Sequence, residues 1–282
     1  MKEIKRLISH DGTFHADDIF ATAILKTIFT DINVVRTRDL HDVTESDIVY
    51  DVGLEYDGLT RFDHHQNDET LIRENGIPYS SFGLIWRKFG LDYIKKFDYA
   101  DEADTETLEK VHQKVDESIV QPIDADDNGF FTYFPSEYPT YSLSQVIANY
   151  NLDDASSDNQ TFRFFKAVSL AKSIMAKQLL RDFNKVKDTI IVHQFIENQD
   201  GSDVLELPKY YNWMDAVKGT DIKYVIFKAS DGFRVRSVEA KYNFDSNEVE
   251  LNDNIIFCHK SGFLAGTKTI QSAREFIEKY GK

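Results

Sequence analysis

Thiol chemistry is almost missing from this chain, which has one cysteine, Cys258, in 282 residues. A single thiol excludes an intramolecular disulfide and a thiolate-rich structural zinc site, and it fits a reducing cytoplasm. Long apolar runs are missing too: no stretch approaches the roughly 18 residues of a membrane span. The start, Met1-Lys2-Glu3-Ile4-Lys5-Arg6, lacks the apolar core of a secretory leader. The expectation is a cytoplasmic protein with no membrane partner. Positive charge is in deficit, 33 Lys and Arg against 48 Asp and Glu, for a net charge of −15. That balance argues against a broad, sequence-independent grip on nucleic acid. It leaves room for a short or single-stranded phosphate substrate, because two divalent ions would outweigh about three carboxylate ligands.

Several catalytic signatures are likewise absent. There is no Gly-x-x-x-x-Gly-Lys phosphate loop, no Gly-x-Gly-x-x-Gly fingerprint and no His-Glu-x-x-His. Ser80-Ser81 has no Gly-x-Ser-x-Gly elbow around it and reads as a helix N-cap. Cys258 beside His259 follows an Ile-Ile-Phe run and reads as a buried structural thiol. No internal repeat or low-complexity tract interrupts the chain.

What is present is concentrated between His10 and His65. Five of the eight histidines lie there, and four of them, His10, His15, His64 and His65, fall in three clusters with aspartates. His10-Asp-Gly-Thr-Phe-His-Ala-Asp-Asp18 follows the apolar run Ile4 to Ile8, Asp51 follows Ile48-Val49-Tyr50, and Asp63-His64-His65 closes the segment. Imidazole with carboxylate and no thiolate is the donor set for Mn²⁺, Fe²⁺ or Zn²⁺ in a hydrolytic site. A lone histidine at a strand end is usually a satisfied polar residue; three clusters, each where an apolar run stops, point to a metal site.

The pattern predicts strands over Ile4 to Ser9, Val34 to Arg38 and Asp47 to Asp51, with a helix opened by Asp17 and Asp18. That rhythm is a parallel α/β sheet, in which ligands gather beyond the carboxyl ends of the strands. Further helices are expected over Ser80 to Phe89 and from Thr105, where Leu108, Val111, Val115 and Ile119 share a face. Val120, Asp124 and Asp127 continue that face past Pro122, and read either as a buried charged function or as a helix end drifting into solvent. A polar surface loop is predicted over Asp153 to Asn159, then a helix over Phe162 to Leu180 with Phe165, Val168, Ala171, Met175 and Leu179 inward. Short β runs follow: Thr189 to Val192, Val204 to Leu207, Tyr224 to Phe227, Phe233 to Val238 and Ile255 to Cys258. A closing helix runs from about Ile270 to Tyr280. The change of texture divides the chain into domains 1–184 and 185–282.

His10-x-x-x-x-His15-x-Asp17, Asp51 before Gly53, and Asp63-His64-His65 resemble the DHH phosphoesterase superfamily. Val35-Arg-Thr-Arg-Asp39, Tyr50-Asp-Val-Gly53, Arg61-Phe-Asp-His-His-Gln66 and Ile123-Asp-Ala-Asp-Asp-Asn-Gly129 are more narrowly similar to the melanocyte proliferating gene family of metal-dependent exonucleases. Phe165-Lys-Ala-Val-Ser-Leu-Ala171 and Cys258-His-Lys-Ser-Gly-Phe-Leu-Ala-Gly-Thr-Lys268 extend the likeness over nearly the whole chain. Phe233-Arg-Val-Arg-Ser-Val238 departs from that family's Gln-Ala-Val-Pro, and Ala265 stands where a glycine is usual.

The resemblance implies an α/β fold: a parallel-sheet DHH phosphoesterase domain, a smaller α+β C-terminal substrate-binding domain, and the active-site cleft between them. It implies two divalent ions, Mn²⁺ ahead of Mg²⁺, Fe²⁺ or Zn²⁺. His10, His15 and Asp51 would hold one; Asp17, Asp51, His64 and a carboxylate from the Asp124 to Asp127 turn would hold the other. Asp51 would bridge, and Asp127 fits the fourth motif better than Asp124. His65 would touch the scissile phosphate, and Arg36 or Arg38 would neutralise charge developing there. His259, Ser261, Gly262, Arg234, Arg236 and Lys268 would grip the substrate from the second domain. The implied activity is phosphodiester hydrolysis, a 3′–5′ exonuclease on RNA or short single-stranded oligonucleotides. The alternatives are a small-molecule phosphatase acting on pyrophosphate or a dinucleotide, and a non-catalytic nucleotide-binding protein. Oligomeric state, a homodimer included, stays open.

Overall fold

The structure, a computed structural model, describes residues 3–66, 71–130, 141–152 and 158–282. It divides into two compact units, Met1–Asp182 and Phe183–Lys282.

In the first unit, β1 (Arg6–Ser9) leads through α1 (Ala16–Ile28) to β2 (Asn33–Arg36), followed by β3 (Asp47–Tyr50) and the short β4 (Arg61–Phe62). The strands form one sheet in the order β2-β1-β3-β4, every pair parallel. Leu7, Ile8, Ile48, Val49 and Tyr50 are all buried, the continuous apolar run expected of parallel strands covered on both faces. Register sets Ile8 against Val49, so the residues just beyond β1 and β3 emerge side by side. Arg6 at the other end of β1 is fixed to buried Asp47 by two hydrogen bonds of 2.9 Å. α2 (Ser81–Ile94) packs on α1, with the Phe20 and Phe82 rings 5.4 Å apart.

α3 (Thr105–Val115) passes through a π turn (Asp116–Val120) into α4 (Gln121–Asp127), with Pro122 in the first turn of α4. Wide turns of this kind accommodate a proline and re-aim the residues that follow. Leu108, Val111, Val115 and Ile119 all face the core. α5 (Leu143–Ala148) is closed at its start by a capping box between Ser142 and Gln145.

α6 runs from Asp158 to Glu197, and this corrects two expectations. Thr189 to Val192 is helical, not a strand, although all four of its residues are β-branched. No glycine or proline lies between 158 and 197 to stop the helix, and Val192 finds its burial as a helical residue against Leu205 and Trp213. The inner face is led by Phe164, fully buried, and not by Phe165. The longer helix sets the register Phe164, Val168, Ala171, Met175, Leu179 and Phe183. The loop expected over Asp153 to Asn159 lies outside the described residues at 153–157, and Asp158 and Asn159 already belong to α6.

In the second unit β5 (Val204–Leu207) pairs in parallel with β6 (Tyr224–Ala229), and β7 (Gly232–Ser237), β9 (Leu264–Thr267) and β8 (Ile255–Cys258) continue the sheet antiparallel. Alternation along β6 serves two cores. Val225 and Phe227 join Trp213 and Leu205, whereas Tyr224 and Ile226 join Val235, Ala265 and Phe276. α7 (Ile270–Tyr280), capped by Thr269, supplies Phe276. Cys258 lies on the edge strand β8 and is half-buried, not the fully buried thiol expected. Among the described residues, no helix is long and apolar enough to cross a membrane.

Candidate metal centre

The parallel register brings the metal-binding residue types together. His10 follows β1 and Asp51 follows β3; Asp51 adopts φ 57°, a left-handed conformation that aspartate tolerates better than most residues. His10 Nδ1–H donates to the Asp11 carbonyl at 2.8 Å. Its other ring nitrogen, Nε2, faces Asp51 at 3.1 Å and Asp18 at 3.5 Å. His64 Nε2 lies 3.4 Å from Asp51, 3.7 Å from Asp17 and 3.3 Å from Asp127. His15, exposed at the start of α1, joins His10 and Asp51 in one group whose donor atoms lie within 4.8 Å of one another; Asp51 belongs to three of the four such groups among the described residues.

Asp17, Asp18 and Asp51 are each less than 5 % exposed. Burying carboxylates this close together is costly unless positive charge is supplied. Burial first, then the charge of Asp51, pushes Asp17 up to about 6; burial first, then Asp17, pushes Asp127 to about 9. Burial pulls His10 and His64 down, but the close approach of each to Asp51 and the surrounding aspartates outweighs it, raising both to about 9. Burial would also raise Asp51, yet the adjacent His10 and His64 rings hold it far below the usual carboxylate range. Both carboxylate oxygens of Asp17 and His64 Nε2 are buried without a hydrogen-bond partner. Unpaired buried donor atoms converging on one point are what a cation would satisfy. The residues present therefore fit divalent cations: His10, His15 and Asp51 form one group of donor atoms, His15, Asp17 and Asp127 another, and Asp17, Asp51 and Asp127 surround His64 Nε2.

Around this core sit orienting groups. Asp63 accepts from His65 Nδ1–H at 2.7 Å and from Leu54 N–H at 2.8 Å, which leaves Nε2 of His65 free on a side chain 55 % exposed. Asp18 takes the His15 N–H at 3.0 Å and the Ser9 hydroxyl at 3.5 Å. Ser81 donates to Asp51 at 3.3 Å, and Ser80 is the N-cap of α2. Asp18 and Ser81 are functional neighbours that the sequence reading missed. Asp18 passed as a helix-dipole carboxylate; its signal was adjacency to Asp17 directly after the His15 cap.

Two assignments need correction. Asp124 is fully buried and already spent: its Oδ1 accepts the Ser80 hydroxyl and, at 3.0 Å, the Gly83 N–H, while Arg73 lies 2.7 Å from its Oδ2. It braces α4 against α2, leaving Asp127 to face His64. Gly83 allows this approach, since a Cβ there would lie 1.9 Å from Asp124. Arg36 does not face the centre as a phosphate ligand. Its guanidinium donates to the Gly12 carbonyl at 2.8 Å and lies 4.5 Å from the Phe164 ring and 5.6 Å from that of Phe14, a cation–π arrangement. Arg38 stays at the rim, 66 % exposed, 3.4 Å from Asp11.

In the second unit, His259 Nδ1 and the Ser261 hydroxyl are 2.7 Å apart, and the His259 ring lies 4.5 Å from that of Phe263. Arg236 lies over Phe263 and Trp213 at 5.3 and 5.5 Å. Gly262 turns the chain at φ 69°, with the Phe244 carbonyl where a Cβ would be. Arg234 is paired with Asp231 at 2.6 Å, and Lys268 bonds Asn254 through its backbone N–H.

The fold and this cluster define an α/β protein with an aspartate–histidine centre suited to divalent cations at the carboxyl edge of a parallel sheet. The chain belongs to the uncharacterised protein family UPF0160, the MYG1 exonuclease family, whose model it matches over residues 6–280. It is 26 % identical over 319 residues to the MYG1 protein C694.04c of Schizosaccharomyces pombe, spanning 99 % of this chain and 98 % of that one. To the MYG1 protein YER156C of Saccharomyces cerevisiae it is 28 % identical, over 98 % of this chain and 96 % of that one. The protein named MYG1 exonuclease from Homo sapiens is 35 % identical over 153 residues, 51 % of this chain and 40 % of its own. Among solved structures, RecJ of Thermus thermophilus in complex with Mn²⁺ aligns with 98 % of this chain and 51 % of its own, at 15 % identity and a TM-score of 0.26.

Proposed function

We propose that this chain is a divalent-cation-dependent phosphodiester hydrolase, an exonuclease working from the 3′ end of RNA or short single-stranded oligonucleotides. The carrying observation is the convergence of His10, His64 and the orphaned Asp17 on Asp51. The name exonuclease borne by the human relative supports the reading. Bound divalent ions supply Lewis acidity toward phosphate and lower the pKa of water. The histidine-rich donor set favours Mn²⁺ over Mg²⁺.

The chain's own residues do the rest. Asp51 holds both halves of the centre in one geometry, and its bond from Ser81 limits its rotation. Asp63 fixes His65 through the Nδ1 proton, so Nε2 is the ring atom offered to a phosphoryl oxygen; the hydrogen bond to Asp63 raises the His65 pKa and so favours the form in which Nε2 carries a proton. Arg38, exposed at the rim beside Asp11, is the remaining cation for the departing charge. In the second unit Arg236, His259 and Ser261 form the substrate-gripping set, with Phe263 and Trp213 as apolar backing.

Turnover of end-labelled single-stranded RNA, single-stranded DNA and pyrophosphate, each with Mn²⁺ titrated in, tests the reading. Stepwise shortening of RNA that stops with Asp51→Asn is the expected result. Release of phosphate from pyrophosphate alone, or RNA cleavage that survives Asp51→Asn and His64→Ala, would overturn it.

A further inference from the structure

The centre opens into a cavity of about 1020 Å³ within the first unit, at the upper end of the ~300–1,000 Å³ of small-ligand sites. Its far walls carry none of the chemistry used so far. Leu71, Ile72 and Pro78 form an apolar side; Asn128, Ser144 and Gln145 form a neutral polar one. The apolar wall is a closed turn, with Arg73 N–H bonded to Ile77 O at 3.0 Å and Tyr79 N–H to Leu71 O at 2.8 Å. Arg73 anchors it from behind through Asp116 and Asp124. Ile72 is nonetheless 47 % exposed, an apolar side chain held out on a hydrogen-bonded turn. On the polar wall, Gln145 Oε1 is taken by the Ser142 N–H at 3.0 Å and the Asn128 amide donates to the Asp124 carbonyl at 2.9 Å. What remains is an amide donor on Gln145 and a carbonyl acceptor on Asn128.

No lysine or arginine lines the cavity among the described residues, and Asp126 adds a negative charge to it. Among the described residues, a second phosphate therefore meets no lysine or arginine on these far walls, whereas a neutral, flat group with a donor–acceptor edge has both an apolar face and a polar edge. We infer that this cavity takes the nucleoside next to the scissile phosphate, its base against Leu71, Ile72 and Pro78 and its edge on Asn128 and Gln145. The inference rests on the phosphodiesterase reading for the position of the phosphate. It narrows that reading to nucleoside-bearing substrates and excludes pyrophosphate as the preferred one.

Calorimetric titration of the Mn²⁺-loaded full chain with adenosine 5′-monophosphate, guanosine 5′-monophosphate and ribose 5-phosphate tests it without requiring turnover. The nucleotides are expected to bind about tenfold or more tighter than ribose 5-phosphate, the increment of one stacked base. Ala148→Trp, at an exposed position lining the cavity, is expected to remove that difference while Mn²⁺ affinity stays unchanged; Ser144→Trp repeats the test from a second position if the first variant fails to fold. Equal binding of nucleotide and ribose 5-phosphate to the wild-type protein, or a nucleotide preference intact in both folded variants, would overturn the inference. If oligonucleotide is hydrolysed but the preference is absent, the cavity assignment alone falls. If the preference is present and Ala148→Trp removes it, but no diester is cleaved, the hydrolase reading alone falls.

Discussion

Replacing Arg73 by methionine keeps an unbranched stem and deletes the charge that braces the centre's distal helix. The Arg73 side chain is 6 % exposed, with Nη2 2.9 Å from Asp116 and 2.7 Å from the fully buried Asp124. Breaking such a pair strands a carboxylate in the interior and costs about 3–5 kcal/mol. Ser80 and Gly83 still donate to Asp124 Oδ1, which sets the expected loss near the lower end, about 3 kcal/mol. Arg73→Met combined with Asp124→Leu removes both charges, so it should cost less than the sum of the singles, with a coupling of about 2 kcal/mol. Urea unfolding at pH 8 followed by far-ultraviolet circular dichroism measures both quantities. Asp127 lies one turn beyond Asp124 on α4, so Mn²⁺ affinity should fall alongside stability in Arg73→Met. A single-variant loss below about 1 kcal/mol, or strict additivity of the pair, would refute the brace, since an uncompensated buried charge cannot be that cheap.

Gly83→Ala must displace Asp124 from a position pinned by three partners, and a cost of about 1–3 kcal/mol is expected in the same unfolding assay. Asp47 contributes stability through pH: its hydrogen bond from Arg6 holds the pKa at about 2 against an ordinary 3.8. A lowered folded-state pKa stabilises above the unfolded value, so about 2 kcal/mol should be present at neutral pH and disappear as pH falls from about 4 to about 2. Asp47→Asn should be less stable at pH 7 and show a shallower loss across that window. Asp63→Asn frees the His65 ring, and turnover of labelled RNA should drop about 10- to 100-fold with little change in the unfolding midpoint.

The parallel sheet and the aspartate–histidine cluster were legible because both obey short-range rules. Apolar runs that end in His10 and Asp51 give strand ends and donors in one glance, Asp63-His64-His65 adds a third set of donors, and the parallel register does the rest. What escaped depends on contacts that have no sequence period. Arg36 and Arg38 are two residues apart and look interchangeable, yet only the first meets Phe14 and Phe164. Asp124 and Asp127 share a helix face, and their roles separate only because Arg73, from a turn some fifty residues earlier, reaches one of them. Thr189 to Val192 has strand propensity, but an uninterrupted helix overrides it. Asp18 was read for its effect on the helix dipole, when its side chain is turned back toward His10.

Crystals grown with Mn²⁺ and measured at the manganese absorption edge test the central claim most directly. The account predicts two anomalous peaks, both bonded to Asp51, one shared with His10 and the other with His64, and the loss of both in Asp51→Asn. A single peak, or peaks that leave Asp51 unbound, would contradict it.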